Sequence, residues 1–377
     1  MKKIVFLTGT RADFGKLKSL MDIAQKSSCF ETFIFATGMH LNSKYGKTID
    51  EVYKSGFVNI YPYINHDTIN NMDRTLAKTI DGFSHYIAEI KPDLIVVHGD
   101  RSEALAGAIV GSLNNILVAH VEGGEISGTI DELIRHAVSK MSHVHFVANN
   151  EAKRRLVQLG ECTNSIFTIG SPDLDVMKKD TLPKLEHVKE YYGINFERYA
   201  IAMFHPVTTE YDNVIEHARH FVDVLIESNN KYVVIYPNND LGSSEILQEY
   251  KRLENLDNFK IYPSIRFEYF LCLLKNADFI IGNSSAGIRE APFYGVPTID
   301  IGSRQNNRVR LNSIYSCGNN KVEIKNAINM TQTITTHFDA DMKFGVGDSD
   351  VQFLDVLQSE LMWSINKQKQ FKEILNE

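Results

Sequence analysis

Short apolar runs alternate with amphipathic stretches almost from end to end, and no other feature of this chain restricts its fold as strongly. IVFLTGT (4–10), TFIFATG (32–38), LIVVHGD (94–100), ILVAHVEGG (116–124), HVHFVAN (143–149) and IFTIGSP (166–172) are rich in β-branched residues and end in turn formers. Stretches with helical spacing, such as FGKLKSLMDIAQKS and RSEALAGAIVGSLNN, lie between them. A strand that is apolar on both faces must be covered on both, so the pattern predicts a parallel sheet flanked by helices. The alternation pauses in a charged stretch at 173–196, where a linker is expected. It resumes with YAIAMFHP (199–206), KYVVIYPNND (231–240), KIYPSI (260–265), DFIIGNSS (278–285) and VPTIDIG (296–302).

A chain of 377 residues exceeds what one hydrophobic core serves well. The class is therefore α/β with two doubly wound domains, 1–172 and 173–359, whose strand carboxyl ends are expected to share a ligand-binding cleft. An amphipathic segment, DVQFLDVLQSELMWSINKQ, is expected to cross back to the first domain, with a helix over about 360–377. Charged residues make up 23% and the apolar set 43%, values that exclude a disordered chain or a coiled coil as the main theme. A net charge of −7 gives no global pull towards nucleic acid. Cys29, Cys162, Cys272 and Cys317 form no CxxC pair, and MKKIVFLTGT runs into a strand rather than a signal segment. No apolar stretch approaches the ~18 residues a bilayer requires, so a cytoplasmic, non-membrane protein is expected.

GNSSAGIREAPFYGVP (282–297) places small residues between a strand end and a helix start. Ser284, Ser285, Ala286 and Gly287 would let a diphosphate approach backbone N–H groups, with Glu290 one turn further on to accept from ribose hydroxyls. The alternative is an ordinary helix cap by Ser284 or Ser285. TGTRADFGKL (8–17) has the same build but neither a GxGxxG nor a P-loop pattern, so no dinucleotide cofactor is indicated. Its Arg11 either forks a phosphate or lies solvated beside a capped helix.

LIVVHGDRSEA and HVEGGEISGTIDELIRH put Asp100 and Glu122 at the ends of two successive strands, with Asp131 soon after. Asp100 could merely cap the next helix, and Glu122 and Asp131 could serve solubility on a surface loop, yet carboxylates converging at neighbouring strand ends suit acid and base work. His205 of MFHPVTTE ends the first strand of the second series and is suited to a phosphate or a proton. In RFEYFLCLLKNAD the spacing assigns Phe270, Leu271 and Leu274 to a helix core, and an exposed Arg266 or Phe267 could cover a uracil ring. No HExxH or Cys/His cluster supports a zinc site, and no metal is expected.

Taken together, HGDRSEALAGA, HVEGGEISGTIDELIRHAVSKMSH, GSPDLD, FHPVTTE, YPNND, SIRFEYF and GNSSAGIREAP resemble the UDP-N-acetylglucosamine 2-epimerase family, its hydrolysing branch in particular, over nearly the whole chain. The resemblance implies two Rossmann-like domains facing a cleft, the glycosyltransferase B type of fold, working as a homodimer or higher homo-oligomer. It implies anti elimination of UDP from UDP-GlcNAc to 2-acetamidoglucal, then hydration to N-acetylmannosamine for sialic acid synthesis, with no cofactor. Asp100, Glu122 and Asp131 would serve as catalytic carboxylates, Asp100 as base and Glu122 as acid, with His205 near the departing diphosphate. Asn239 of YPNND, Arg11, Arg266, Phe267, Ser284, Ser285, Gly287 and Glu290 would hold the substrate. Related non-hydrolysing enzymes carry a TxQH-like segment for a regulatory sugar nucleotide. Met39 stands at that glutamine here, so such regulation is not implied. A glycosyltransferase of the same fold, a module that only binds nucleotide sugars, and a relative acting on a UDP-2,4-diacetamido-trideoxyhexose are the competing readings.

Overall fold

The computed structural model describes all residues except 44–45, 67–70, 128–129, 179–181, 307–310, 335–337, 371 and 374–377. Two compact units emerge, one of Met1–Glu125, Asp131–Lys179 and Lys343–Glu377, the other of Ile126–Ile130 and Asp180–Met342.

The described residues of the first unit contribute β1 (Lys2–Thr8), β2 (Phe30–Ala36), β3 (Asn59–Pro62), β4 (Leu94–His98), β5 (Leu117–Val121), β6 (Val144–Val147) and β7 (Ile166–Thr168). They form one sheet in the order β3-β2-β1-β4-β5-β6-β7, and each neighbouring pair is parallel. The apolar runs of β1, β4 and β5 are buried, as covering both faces of a parallel sheet demands. Chain direction around the sheet reverses between β1 and β4, which opens a crevice beyond their carboxyl ends.

In the second unit β8 (Ala200–Met203), β9 (Tyr232–Ile235), β10 (Phe259–Tyr262), β11 (Ile280–Gly282), β12 (Thr298–Ile301) and β13 (Ile314–Cys317) form a second parallel sheet. Its order, β10-β9-β8-β11-β12-β13, repeats the same reversal, here between β8 and β11. Gly282 closes β11 at φ +135°, and a Cβ there would lie 1.9 Å from the Met203 carbonyl oxygen, so only glycine fits.

The charged stretch expected to be a linker is in large part packed structure. Helix Pro172–Lys178 belongs to the first unit and buries two acids. Asp173 meets the Lys16 ammonium at 3.3 Å. Asp175 accepts from Ser19 Oγ at 2.8 Å and from the Ser349 and Asp350 backbone N–H groups at 2.7 and 3.0 Å. Burial pushes the Asp175 carboxyl up to about 6 against the pull of these donors. Buried charge that is paired cannot be told from solvated charge by composition alone.

Asp175 thereby fixes the start of helix Ser349–Gln358, whose Phe353 and Leu357 are fully buried in the first unit's core. The Phe353 ring lies 4.8 Å from Phe146 and 6.3 Å from Phe6, centroid to centroid. The helix expected over about 360–377 is confined, among the described residues, to Glu360–Trp363. Beyond it the Lys369 ammonium donates to the carbonyls of Ser139, Lys140 and Ser142 and pairs with Glu161 at 2.5 Å, so tertiary bonds replace helical ones.

Phe353→Ala removes a ring from the centre of this core and should cost about 3–5 kcal/mol of unfolding free energy in urea. A loss under about 1 kcal/mol would show that the C-terminal segment is not integral to the first unit.

Candidate functional site

In the first unit four strand ends contribute polar groups around the β1/β4 crevice. After β1, Thr10 caps helix Arg11–Lys26 by accepting from Asp13 N at 3.1 Å, while Asp13 Oδ2 accepts from Gly9 N at 2.9 Å. This reciprocal cap fixes Asp13. His98, the last residue of β4 and one-tenth exposed, then lies between two acids: its Nδ1 is 2.9 Å from Asp13 Oδ1 and its Nε2 3.1 Å from Glu122 Oε2. Neither contact is in line for a hydrogen bond, and both are ion pairs. Ser171, after β7, donates to Glu122 Oε1 at 2.5 Å.

Glu122 stands directly after β5 in the left-handed region at φ +65°, with its N–H bonded to the Phe146 carbonyl at 2.9 Å. A non-glycine residue there is strained, which the surrounding bonds must outweigh. The next turn leaves no room: a Cβ on Gly124 would come within 2.3 Å of the Ala152 carbonyl oxygen. His120 braces the neighbouring strand end, with Nε2 2.8 Å from the Gly99 carbonyl and Nδ1 3.0 Å from Ser139 Oγ. Burial pushes its pKa down to about 3, so the ring is neutral and carries its proton on Nε2, facing the carbonyl.

Asp100 follows the left-handed Gly99 and pairs with Arg135 from helix Ile130–Met141. Arg135 is 4% exposed, and its Nε and Nη1 have no hydrogen-bond partner among the described residues. A buried guanidinium with donors to spare is costly unless a ligand uses them. Asp131 occupies the first turn of the same helix, one turn before Arg135. Arg11 pairs with Glu51 at 2.5 Å.

The second unit marks its own reversal point with His205 and Asn283. They follow β8 and β11 and clasp each other: His205 N donates to Asn283 Oδ1 at 2.6 Å and Asn283 Nδ2 to the His205 carbonyl at 2.8 Å. The Asn238 N–H donates to His205 Nδ1 at 3.0 Å, so the neutral ring carries its proton on Nε2. A pocket beside them is lined by His205, Glu210, His217, Asn283 and Ser303. Asn239 is half-buried in the loop after β9.

Around Ser284–Gly287 the turn is capped locally: Ser284 Oγ accepts from Ala286 N at 3.3 Å, and the N–H groups of Gly287, Ile288 and Arg289 bond to the carbonyls of Ser284 and Ser285. The expected continuous helix is instead a single tight turn, Ser285–Gly287, followed by the short helix Glu290–Phe293. Glu290 is buried there, 2% exposed. Phe267, expected as an exposed candidate, is buried on the core side of helix Phe267–Lys275 because its spacing matches that of Phe270 and Leu271. Arg266 packs its guanidinium over the rings of Tyr191 and Tyr269 at 5.1 and 5.5 Å.

The structure thus gathers Glu122 with His98, Asp13 and Ser171, and Asp100 with Arg135. Sequence reasoning passed over these four partners. Asp13 three residues after Thr10 was a readable capping signal. Arg135 four residues after Asp131 was a readable helix-face pairing. Ser171 carried no local signal, since only the tertiary fold brings it to Glu122. Among the described residues no group of three metal-ligand side chains is arranged to hold an ion.

His98 sets a pH dependence of stability. Burial lowers its pKa, but Glu122 and then Asp13 raise it further, to about 9 overall. A folded-state pKa above the unfolded value gives stability that is complete below about 6.5 and lost as pH rises through about 9, worth about 3 kcal/mol. Urea unfolding between pH 6 and 10 should therefore show the wild type losing this amount relative to His98→Gln. Parallel curves for the two proteins would contradict the ion pairs.

The family described as UDP-N-acetylglucosamine 2-epimerase matches residues 22–358. A Neisseria meningitidis protein named UDP-N-acetylglucosamine 2-epimerase is 48% identical over 99% of this chain and all of its own length. A Legionella pneumophila UDP-N,N'-diacetylbacillosamine 2-epimerase (hydrolyzing) is 34% identical over 83% of this chain and 84% of its own. The crystal structure of Methanocaldococcus jannaschii UDP-GlcNAc 2-epimerase in complex with UDP-GlcNAc and UDP superposes with a TM-score of 0.80 at 23% identity, covering 95% of this chain and 99% of that one. The fold is of the glycosyltransferase B type. With its sequence matched over nearly its whole length, the chain belongs to the UDP-N-acetylglucosamine 2-epimerase family.

Proposed function

We propose that the chain is a hydrolysing UDP-N-acetylglucosamine 2-epimerase, converting UDP-GlcNAc and water to N-acetylmannosamine and UDP for sialic acid synthesis. The observation that carries this reading is the end-to-end identity of 48% to the N. meningitidis relative. The proton at C2 of the sugar passes to a carboxylate while the C1–O bond breaks and its electron pair leaves with UDP, giving 2-acetamidoglucal. Water then adds across the double bond, hydroxyl at C1 and a proton at C2 from the opposite face. The sequence is redox-neutral and consumes only water, so no cofactor is required.

Asp100, Glu122 and Asp131 supply the carboxylates in this reading, because weakly acidic C–H groups need a positioned base and inversion needs a second group across the ring. The unengaged donors of Arg135 support it, since they suit an oxygen of the bound sugar. In the second unit His205, with its proton on Nε2, donates to the departing diphosphate, while Ser284, Ser285, Gly287 and Glu290 border the nucleotide. Asn239, Arg266 and Arg11 are further nucleotide contacts. Phe267 is buried and contributes through packing alone. The proposed setting is the cytoplasm, and the proposed working form is a homodimer or higher homo-oligomer. Among the described residues no helix is long and apolar enough to cross a membrane.

A second reading, a 2,4-diacetamido-trideoxyhexose substrate, draws on the 34% identical L. pneumophila relative. Assayed side by side without an acceptor, UDP-GlcNAc should be the faster substrate and should release free sugar with UDP. Preference for the diacetamido sugar would favour the second reading, and release only with an acceptor would identify a glycosyltransferase.

Asp100→Asn, Glu122→Gln and Asp131→Asn should each fold and lose about 100-fold or more in kcat. Ser285→Ala and Glu290→Gln should instead weaken UDP binding about 5- to 10-fold, one hydrogen bond's worth. Near wild-type rates in two of the three acid variants would overturn the catalytic assignment, and unchanged UDP affinity in both others would overturn the nucleotide assignment.

A further inference from the structure

His98 has no role in the reaction as derived so far, yet it lies between two carboxylates at the end of β4. Its two ring nitrogens face carboxylate oxygens at 2.9 and 3.1 Å, Asp13 from helix Arg11–Lys26 on one side and Glu122 from the end of β5 on the other. A neutral imidazole has one N–H and one lone pair, so it would turn the lone pair towards one of these anions. The imidazolium alone is attracted to both. His120 of β5 also interacts with His98, and it is neutral and turned to the Gly99 carbonyl.

The arrangement also fixes Glu122 from several directions. One oxygen meets the imidazolium and the other accepts from Ser171 Oγ, while the Glu122 N–H is tied to Phe146. Ser171 is itself anchored, its N–H bonded to the Phe344 carbonyl at 2.7 Å. Three separate segments therefore hold Glu122 and a fourth anchors Ser171, at a backbone angle that costs energy to maintain.

We propose that His98 is a positioning residue: protonated and pinned by Asp13, it holds Glu122 as an ionised, acceptor-only carboxylate, so Glu122 takes a proton from the sugar before it gives one. This deepens the function proposed above and rests on it. The Glu122 oxygen gains the C2 proton as the C1–O electron pair leaves with UDP, and His98 keeps both of its ring protons throughout. The order is the reverse of the base and acid roles expected from the sequence.

The test uses His98→Gln, which keeps an N–H donor but no charge, and Ser171→Ala, which removes the neutral donor. His98→Gln should lower kcat about 100-fold with KM for UDP-GlcNAc within about 3-fold, and should abolish the alkaline limb of the kcat profile that deprotonation of His98 produces in the wild type. Ser171→Ala should lower kcat while leaving that limb in place. An unchanged alkaline limb in His98→Gln, or a kcat within about 3-fold of wild type, would overturn the proposal. NMR of the His98 ring in the resting protein needs no turnover: the wild type should stay protonated beyond pH 8, and Glu122→Gln should lose that proton at a pH lower by about one unit or more. A ring already neutral at pH 7 in the wild type would also overturn it. If wild-type protein gives no UDP from UDP-GlcNAc, the function fails instead, whatever the NMR result.

Discussion

A parallel strand is hydrogen-bonded along both edges and covered on both faces, so polar groups can be presented only where the strand stops. Everything assigned to the candidate site follows from that restriction. Both sheets reverse their order beside the first strand, between β1 and β4 and between β8 and β11. At those points the connecting helices go to opposite faces and leave room beyond the strand ends. Asp13 and His98 occupy the first opening, His205 and Asn283 the second. The side chains within each sheet are mostly apolar and buried, so the chemistry concentrates at these ends.

Charge at such an end must be balanced locally, because burial makes an unpaired ion expensive. The first unit meets this with alternating signs: Asp13, His98 and Glu122 in one row, and Asp100 against Arg135 in another. Each of these carboxylates has a basic group beside it, so opposite charges offset one another locally. The same rule operates away from the site, where Glu161 gathers His145, Lys140 and Lys369 and ties the C-terminal segment to helix Ile130–Met141. That helix carries Asp131 and Arg135, so the tail braces the element that supports the candidate site.

The central strands were legible in the sequence because burial on both faces leaves an uninterrupted apolar run. β3 and β13 were missed for the opposite reason. They are edge strands with partly exposed residues, and NIYP and IYSC carry no such run. Asp100, Glu122 and His205 were recognisable from their position after a strand. Their partners were not, since Ser171 lies 49 residues from Glu122 and the bond between them exists only in the folded chain. The charged stretch near residue 173 misled for a related reason: Asp173 and Asp175 are buried against Lys16 and Ser19, whose proximity no local pattern reveals. Phe267 shows the limit of motif reading, because it is buried on the same side as Phe270 and Leu271, while its position ahead of the 282–287 loop suggested exposure.

The account's central claim is that paired carboxylates exchange the C2 hydrogen through a glycal. The most direct measurement is NMR of the first-formed sugar from UDP-GlcNAc turned over in D2O containing labelled oxygen. Elimination and hydration predict N-acetylmannosamine with deuterium at C2 and solvent oxygen at C1, while UDP acquires no label. Protium retained at C2 would contradict the account, and with it the roles proposed for Asp100, Glu122 and His98.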